Sequence, residues 1–248
     1  MKLTLAEPKY LKDSIAIISE LVTEARFKVT KDAIELVAMD PANVAMVIFK
    51  LLSSAFTEYQ IEKDTEIAIN MSNLKQILRR VGSNDTVILE LADGNKLKIV
   101  MKSGTTRTFH IPLIELEDKV QKIPALEFPI TVETSSSTLS DAVEDADIVA
   151  ESLTFGVEPG KFTVEAEGDL NKASIELVED NVTKVKTKGT DKIKARYSIE
   201  YLKKMISGGK LADRVLINFS TDYPLKLEYK AMDKLLLTFI LAPRVEND

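Results

Sequence analysis

The sequence repeats itself once, and this repeat constrains the fold more than any other feature. When the chain of 248 residues is shifted by 128 positions, apolar residues fall on apolar residues from near the start to near the end. Leu11 falls on Leu139, for example, and Phe27 falls on Phe155. Because one register holds over this whole length, the sequence predicts two tandem copies of one domain, with a period too long for a solenoid unit.

Both copies predict the same order of elements. Each opens with a helix, whose apolar face comprises Leu11, Ile15, Ile18 and Val22 in the first copy and Leu139, Val143, Ala146 and Ala150 in the second. A second helix begins at Ser72, read as its N-cap, and ends at Gly82. Its counterpart in the second copy runs from about Ser198 to Gly208 and Gly209.

Alternation of apolar and polar residues predicts five strands in each copy. They cover residues 33–39, 44–51, 86–91, 96–101 and 106–113 in the first copy and residues 161–166, 172–178, 214–219, 224–229 and 235–241 in the second. Strands outnumber helices, and hairpin-length gaps such as Asp93-Gly94 join them. The pattern therefore predicts the α+β class, as two tandem similar domains of antiparallel sheet with helices on one face.

The predicted domains are residues 1–116 and residues 129–248, separated by a connector loop over residues 117–128. The connector is charged, lacks a strong period and contains Ile123-Pro124. Proline lacks a backbone donor and favours extended backbone in the residue before it, so we expect an exposed segment that runs over the surface.

An open sheet edge invites pairing with another strand. Two tandem copies can pair edge to edge within a chain, and the outer edges can pair between chains until a ring closes. The candidate outer edges are residues 107–115 and residues 172–180, where Arg107 and His110 would meet Glu176 and Glu179 of a neighbouring subunit. The pattern alone also allows both strands to be ordinary edges of a monomer.

Five segments, in order, resemble the archaeal and eukaryotic DNA sliding clamp, the proliferating cell nuclear antigen family. They are the stretch AIELVAMDPANV at 33–44, NMSNLKQIL at 70–78, TTRTFHIPLI at 105–114, the pair Ile123-Pro124, and LAPRV at 241–245. The resemblance implies a trimeric ring of similar domains, with helices lining a hole for DNA and sheets outside. It implies no catalytic activity and no cofactor.

The same resemblance implies the partners. They are double-stranded DNA without sequence preference, a clamp loader, and DNA polymerase, flap endonuclease and DNA ligase, which dock through a short peptide motif. The matching residues of the docking pocket are Met39, Asp40, Val44, Ile123, Pro124, Pro224, Ala242 and Pro243. Met, Val, Ile and Pro offer apolar anchorage to a one-turn helix bearing aromatic side chains. The alternative is that Met39 and Val44 belong to the core.

DNA that slides must be held by few, electrostatic contacts to phosphates. Helix faces opposite the core supply the candidate DNA-facing residues, which are Lys9, Lys12, Lys75, Arg79, Arg80, Lys203, Lys204 and Lys210. The third helix departs from this pattern, because it carries Asp141, Glu144, Asp145 and Asp147 without a lysine or arginine. Two interpretations follow: DNA runs asymmetrically past the basic helices, or the chain is a protein-docking subunit of a heterotrimeric clamp with little DNA contact of its own.

The rest of the composition limits the alternatives. The chain has no cysteine and one histidine, and no glycine-rich phosphate loop or serine elbow, so we find no basis for an enzyme or a metal site. A duplicated hydrolase that uses carboxylates is the remaining enzymatic alternative. Nothing resembles a signal peptide or a membrane helix, so we expect a cytoplasmic, nucleoid-associated protein.

Overall fold

The computed structural model describes residues 1–117, 121–188 and 192–245. Contacts divide the chain into two compact units. The N-terminal unit comprises Met1–Asn43, Val47–Ile123 and Ala231–Leu237, and the C-terminal unit comprises Val44–Met46, Pro124–Lys230 and Thr238–Asp248. Residues 118–120 of the predicted connector lie outside the described residues.

The elements of the first half follow one another in this order: β1 Lys2–Leu5, α1 Lys9–Ile18, β2 Glu24–Val29, β3 Ala33–Met39, β4 Ala45–Leu52, β5 Glu58–Gln60, β6 Thr65–Asn70, α2 Met71–Leu78, β7 Thr86–Ala92, β8 Lys96–Lys102 and β9 Thr106–Pro112. In this half, β5-β1-β7-β8-β9 form an antiparallel sheet, and β2 pairs antiparallel with β3 and β6. A short 3-10 helix, Ser53–Ala55, follows β4.

The second half repeats this order: β10 Ile130–Ser135, α3 Ser136–Asp147, β11 Ser152–Glu158, β12 Lys161–Glu167, β13 Lys172–Val178, β14 Lys184–Thr187, β15 Ile193–Ser198, α4 Ile199–Ile206, β16 Arg214–Asn218, β17 Leu225–Ala231 and β18 Leu235–Leu241. Here the strand orders are β14-β10-β16-β17-β18 and β13-β12-β11-β15. A 3-10 turn, Ser207–Lys210, extends α4.

The helices cover their sheets with the apolar faces that the sequence predicts. In the N-terminal unit, Leu11 and Ile15 of α1 and Leu74 of α2 are buried, and they line a small apolar cavity of about 40 Å³ together with strand residues. In the C-terminal unit the ring of Phe155 lies 5.2 Å from that of Phe162 and 6.0 Å from that of Phe219. Aromatic packing of this kind contributes beyond area burial, so it centres the second core.

Helix boundaries differ from the prediction at both ends of α2 and at the ends of α1 and α3. Asn70, and not Ser72, caps α2, because the Asn70 side chain accepts a hydrogen bond from the backbone N–H of Asn73. The helix then ends at Leu78, before Gly82. The first helix of each unit is also shorter than predicted, since Val22 and Ala150 lie beyond α1 and α3.

Candidate functional site

Helix α2 of the N-terminal unit presents a basic surface. Leu74 and Leu78 are buried, so the opposite side of α2 turns Lys75 toward solvent, and the exposed side chains of Arg79 and Arg80 follow at its end. Over residues 1–117, 121–188 and 192–245, these two guanidinium groups have neither an ion pair nor a hydrogen bond. They are therefore available to an external anion.

The three lysines predicted beside them are engaged by the protein. Lys75 forms an ion pair with Glu20, which lies just beyond α1. Lys12 donates from Nζ to a backbone carbonyl oxygen just after α2, at 2.7 Å. Lys9 is 3.7 Å from Asp13, one turn along the same helix. The N-terminal unit thus engages Lys9, Lys12 and Lys75 while leaving Arg79 and Arg80 open.

Helix α4 of the C-terminal unit has a similar arrangement. The Nζ atom of Lys203 lies 2.5 Å from Oδ2 of Asp147, the last residue of α3. Lys204 pairs with Glu200 at 3.0 Å, and its Nζ atom is 5.2 Å from the centre of the Tyr201 ring. Both predicted DNA-facing lysines of α4 therefore have partners within their own unit.

A groove of about 710 Å³ runs along α3 and α4. Its lining mixes acid and base: Ser136, Ser137, Ser140, Glu144, Asp147, Lys203, Ile206, Ser207, Gly209 and Lys210. The groove therefore has no single sign of charge. Lys210, the last of the predicted DNA-facing residues, is exposed at this groove.

The acidic side of α3 faces solvent, as the sequence predicts. Asp141, Glu144 and Asp145 are exposed, whereas Leu139 and Val143 on the other side of the helix are buried. The hydroxyl of Ser135 caps the helix by accepting a hydrogen bond from a backbone N–H at 3.0 Å. Asp147 differs from the other acids of α3 because it forms an ion pair with Lys203.

The predicted docking residues of the N-terminal unit have different environments. Ile123 is exposed at 52 % and Met39 is half-buried, which suits both to contact with a peptide. Asp40, in contrast, is only 5 % exposed, and its Oδ2 atom accepts a hydrogen bond from the N–H of Ala42 at 3.1 Å. This turn continues to Asn43, which has a positive φ of 57°. The carboxylate of Asp40 therefore shapes the loop after β3 rather than lining a surface.

The predicted docking residues of the C-terminal unit lie on its surface. Pro124 and Ala242 are exposed, and Val44, Pro224 and Pro243 are half-buried. The N–H of Ala242 donates to the carbonyl oxygen of Val44 at 3.0 Å, so these two residues are held together by the backbone. Val44 and Met39 are half-buried, so part of each side chain is accessible at the surface.

One residue that sequence reasoning missed is Arg26 of β2. Its Nη2 atom donates to the carbonyl oxygen of Leu116 at 2.7 Å, and its Nη1 atom is 3.1 Å from the carboxylate of Glu66. A groove of about 340 Å³ lies alongside Arg26, and Met39 and Gln121 also line it. Arg26 thus fixes the backbone at the start of the connector.

The two predicted outer edges end their sheets in the described part of the chain, where β9 pairs with β8 and β13 pairs with β12. Their burial follows the same alternation. Phe109 on β9 and Ile175 on β13 are both half-buried, on the side of the sheet that faces a helix. Each edge therefore leaves apolar surface incompletely covered.

Some of the charged residues predicted at these edges have partners within the chain as well. Arg107 forms an ion pair with Asp85 and donates to the carbonyl oxygen of Arg80 at 3.0 Å. The backbone N–H of Gly82 lowers the pKa of the Asp85 carboxyl most, with help from the Ser103 hydroxyl and from Arg107. Within its own subunit the guanidinium of Arg107 is thus already engaged. Its pairing with a neighbouring subunit stays a prediction.

The two acids predicted to meet β9 of a neighbouring subunit have different surroundings within this chain. Glu176 lies on β13, 3.2 Å from Nζ of Lys161. Glu179 lies just past the end of β13 and is exposed, and His110 is exposed on β9. Among the described residues, His110, Glu176 and Glu179 are thus exposed, and of these Glu176 has an ion pair within the chain.

Comparisons with known proteins match both halves of the chain to one family. Residues 1–119 match the proliferating cell nuclear antigen N-terminal domain, and residues 122–244 match the proliferating cell nuclear antigen C-terminal domain. This chain belongs to the proliferating cell nuclear antigen family. The match confirms the family, the fold and the sliding-clamp function that the sequence predicts.

Individual relatives within the proliferating cell nuclear antigen family match over nearly their full length. The DNA polymerase sliding clamp of Nanoarchaeum equitans is 39% identical over 247 residues, covering 98% of this chain and 99% of that protein. The DNA polymerase sliding clamp of Thermococcus gammatolerans is 37% identical and covers 96% of each chain.

Solved structures of proliferating cell nuclear antigen show the same fold. That from Thermococcus kodakaraensis superposes with a TM-score of 0.91 at 29% identity, covering 98% of this chain and 99% of that one. That from Entamoeba histolytica gives the same TM-score at 21% identity. No helix among the described residues is long and apolar enough to cross a membrane, and no group of three metal-ligating side chains occurs among them.

Proposed function

We propose that this chain is one subunit of a trimeric ring that encircles duplex DNA and tethers a DNA polymerase to its template. The observation that carries the proposal is the match of both halves to the clamp family, over nearly the whole length of proteins named DNA polymerase sliding clamp. A tether of this kind needs no catalytic group.

Ring closure is supported by the two open edges. A neighbouring β9 laid against β13 would satisfy the unpaired backbone groups of both strands and complete the burial of Phe109 and Ile175. The subunit interface thereby depends on backbone pairing and apolar burial. The exposed His110 and Glu179 would add a charged rim.

DNA contact is supported by the open arginines of α2. Arg79 and Arg80 are exposed without a partner in the described residues, so they meet phosphates without first breaking an ion pair. The lysines of α1 and α4 contribute less, because Lys9, Lys203 and Lys204 are held by acids of their own unit and Lys12 by a backbone carbonyl oxygen. Contacts of this number and kind hold DNA loosely enough for sliding.

We expect the double variant Arg79→Ala/Arg80→Ala to load poorly on nicked circular DNA. Loss of two phosphate contacts makes the slope of log affinity against log salt shallower by about 1.8. The amount of clamp retained on the DNA, measured over a series of salt concentrations, gives this slope. The control variant Lys31→Ala/Lys63→Ala removes the same charge from exposed loops of the same unit and should keep the original slope. Equal slopes for both variants would show that Arg79 and Arg80 do not touch phosphates.

Partner docking is supported by the exposed apolar residues. Ile123, Pro124 and Ala242 are exposed, and Met39 and Pro243 are half-buried, so each offers surface to a short peptide that carries aromatic and aliphatic side chains. We propose that clamp loader, flap endonuclease and DNA ligase bind these residues as the polymerase does.

Primer extension tests the proposed function directly. A cognate polymerase on a primed circular template, with clamp loader and ATP present, should give longer products when this protein is added. The clamp should have no effect on a short linear template, from whose ends it slides away. Equal product lengths with and without the protein on the circle would defeat the proposal.

A second candidate function is a protein-docking subunit of a heterotrimeric clamp. The exposed carboxylates of Asp141, Glu144 and Asp145 favour it, because they repel phosphates along one helix. The mass of the purified assembly separates the two candidates. A stable trimer of this chain alone supports the homomeric clamp, and a monomer that enters a ring only with paralogous chains supports the second candidate.

A further inference from the structure

We propose that Glu20 and Asp147 limit how tightly this clamp grips DNA, by holding Lys75 and Lys203 in ion pairs that phosphates must displace. The inference rests on the proposed function, since it assigns a regulator to the proposed DNA-facing surface. It concerns two acids that neither the repeat nor the family motifs single out.

The two lysines occupy the same place in the two units. Lys75 and Lys203 are 128 positions apart, which is the repeat register, and each lies in the middle of the second helix of its unit. Each lysine faces the first helix of its unit, because its partner acid lies at or just beyond the end of that first helix.

The acids themselves are not at equivalent positions. Glu20 lies two residues after the end of α1, whereas Asp147 is the last residue of α3, one position earlier in the repeat register. The same interhelical pair is therefore built twice from different local sequence. Repetition of the domain alone does not produce this.

Both pairs lie where an external phosphate can reach them. The side chain of Lys203 is 49% exposed and that of Asp147 is 39% exposed, and for Lys75 and Glu20 the values are 37% and 49%. An exposed ion pair contributes only about 0–1 kcal/mol, so a phosphate can replace the carboxylate at low cost. The pair weakens the contact with DNA without abolishing it.

The counterion argument makes the consequence measurable. A lysine that is neutralised within the protein contributes little to counterion release, whereas a freed lysine that meets a phosphate steepens the salt slope by about 0.9. One added contact corresponds to about 3.5-fold more loss of affinity between 50 and 200 mM salt. Removing the acid should therefore tighten binding at low salt and increase its salt dependence.

The experiment compares two asparagine variants of the same helix, in the full chain. Asp147→Asn frees Lys203, whereas Asp141→Asn removes an equal charge from an exposed acid that has no ion pair in the described residues. Binding of a fluorescent duplex of random sequence is measured by anisotropy from 50 to 200 mM NaCl. We expect a slope about 0.9 steeper for Asp147→Asn than for Asp141→Asn.

A thermodynamic cycle shows whether the effect passes through Lys203. In a Lys203→Gln background, Asp147→Asn and Asp141→Asn should change binding equally. In the native background, Asp147→Glu keeps a carboxylate beside Lys203 and should leave the salt slope as it is in the unaltered protein. Glu20→Gln should steepen the slope in the same way, provided that Lys75 is present. Circular dichroism and native mass show that each variant keeps its fold and assembly.

The outcomes separate the inference from the proposed function. Equal slopes for Asp147→Asn and Asp141→Asn, or a difference that persists without Lys203, would overturn the inference while the clamp still extends primers on circular templates. If the unaltered protein neither binds the duplex nor lengthens primer-extension products, the proposed function fails, and the inference fails with it.

Discussion

Replacing Phe109 by aspartate is expected to convert the proposed trimeric ring into monomers. Phe109 is half-buried on the edge strand β9, opposite the fully buried Ile99 of β8. A carboxylate enclosed there by a neighbouring subunit loses its hydration, at a cost of about 4 kcal/mol or more, which weakens association about a thousandfold. Native mass spectrometry and sedimentation at micromolar concentration measure the change.

The matched control for this variant is Thr108→Asp. Thr108 is exposed and directed to the other side of the same strand, so the same charge stays in water and the ring should persist. Circular dichroism of Phe109→Asp should show a folded chain, because the substitution lies at the edge of the sheet. A Phe109→Asp protein that remains trimeric would show that β9 is not the subunit interface.

Replacing Phe155 by alanine is expected to lower the free energy of unfolding by about 3–5 kcal/mol. Phe155 is fully buried, and its ring contacts those of Phe162, Tyr197 and Phe219, at centroid distances of 5.2, 5.7 and 6.0 Å. The strands that carry these rings cannot collapse fully into the space left behind. Urea denaturation at a fixed protein concentration measures the change.

Leu170→Ala provides the comparison for Phe155→Ala. Leu170 is 96% exposed in the same unit, so its truncation should alter the free energy of unfolding by no more than about 0.5 kcal/mol. A Phe155→Ala protein as stable as Leu170→Ala would mean that the aromatic cluster does not hold the second core together.

The repeat made most of the fold predictable. The strands predicted at residues 33–39, 172–178 and 235–241 have those bounds in the structure, because apolar residues alternate cleanly along them. Eight of the eighteen strands in the described residues were missed. Three of them, β1, β5 and β14, have only three or four residues, too few to show a period. The other five, β2, β6, β10, β11 and β15, have six or seven residues, so their length does not explain the omission.

The candidate surface was less predictable than the fold. The exposed arginines of α2 followed from helical periodicity, which predicts the side of a helix but not what lies across from it. The partners of Lys75 and Lys203 lie 55 and 56 residues away along the chain, and Asp85 lies 22 residues from Arg107. Only the packing of one helix or turn against another brings such charges together, so no local pattern announces them.

The contact between Arg26 and the carbonyl oxygen of Leu116 bears on how partners compete. The connector is tied to a sheet at Leu116, just before its first residue, so it has less conformational entropy to lose when a peptide binds along it. This reduction in the entropic cost of binding is the same for every peptide, whatever its motif. We therefore expect Arg26 to shift the affinities of all proposed partners that bind along this loop together, and their ranking to depend on their own side chains.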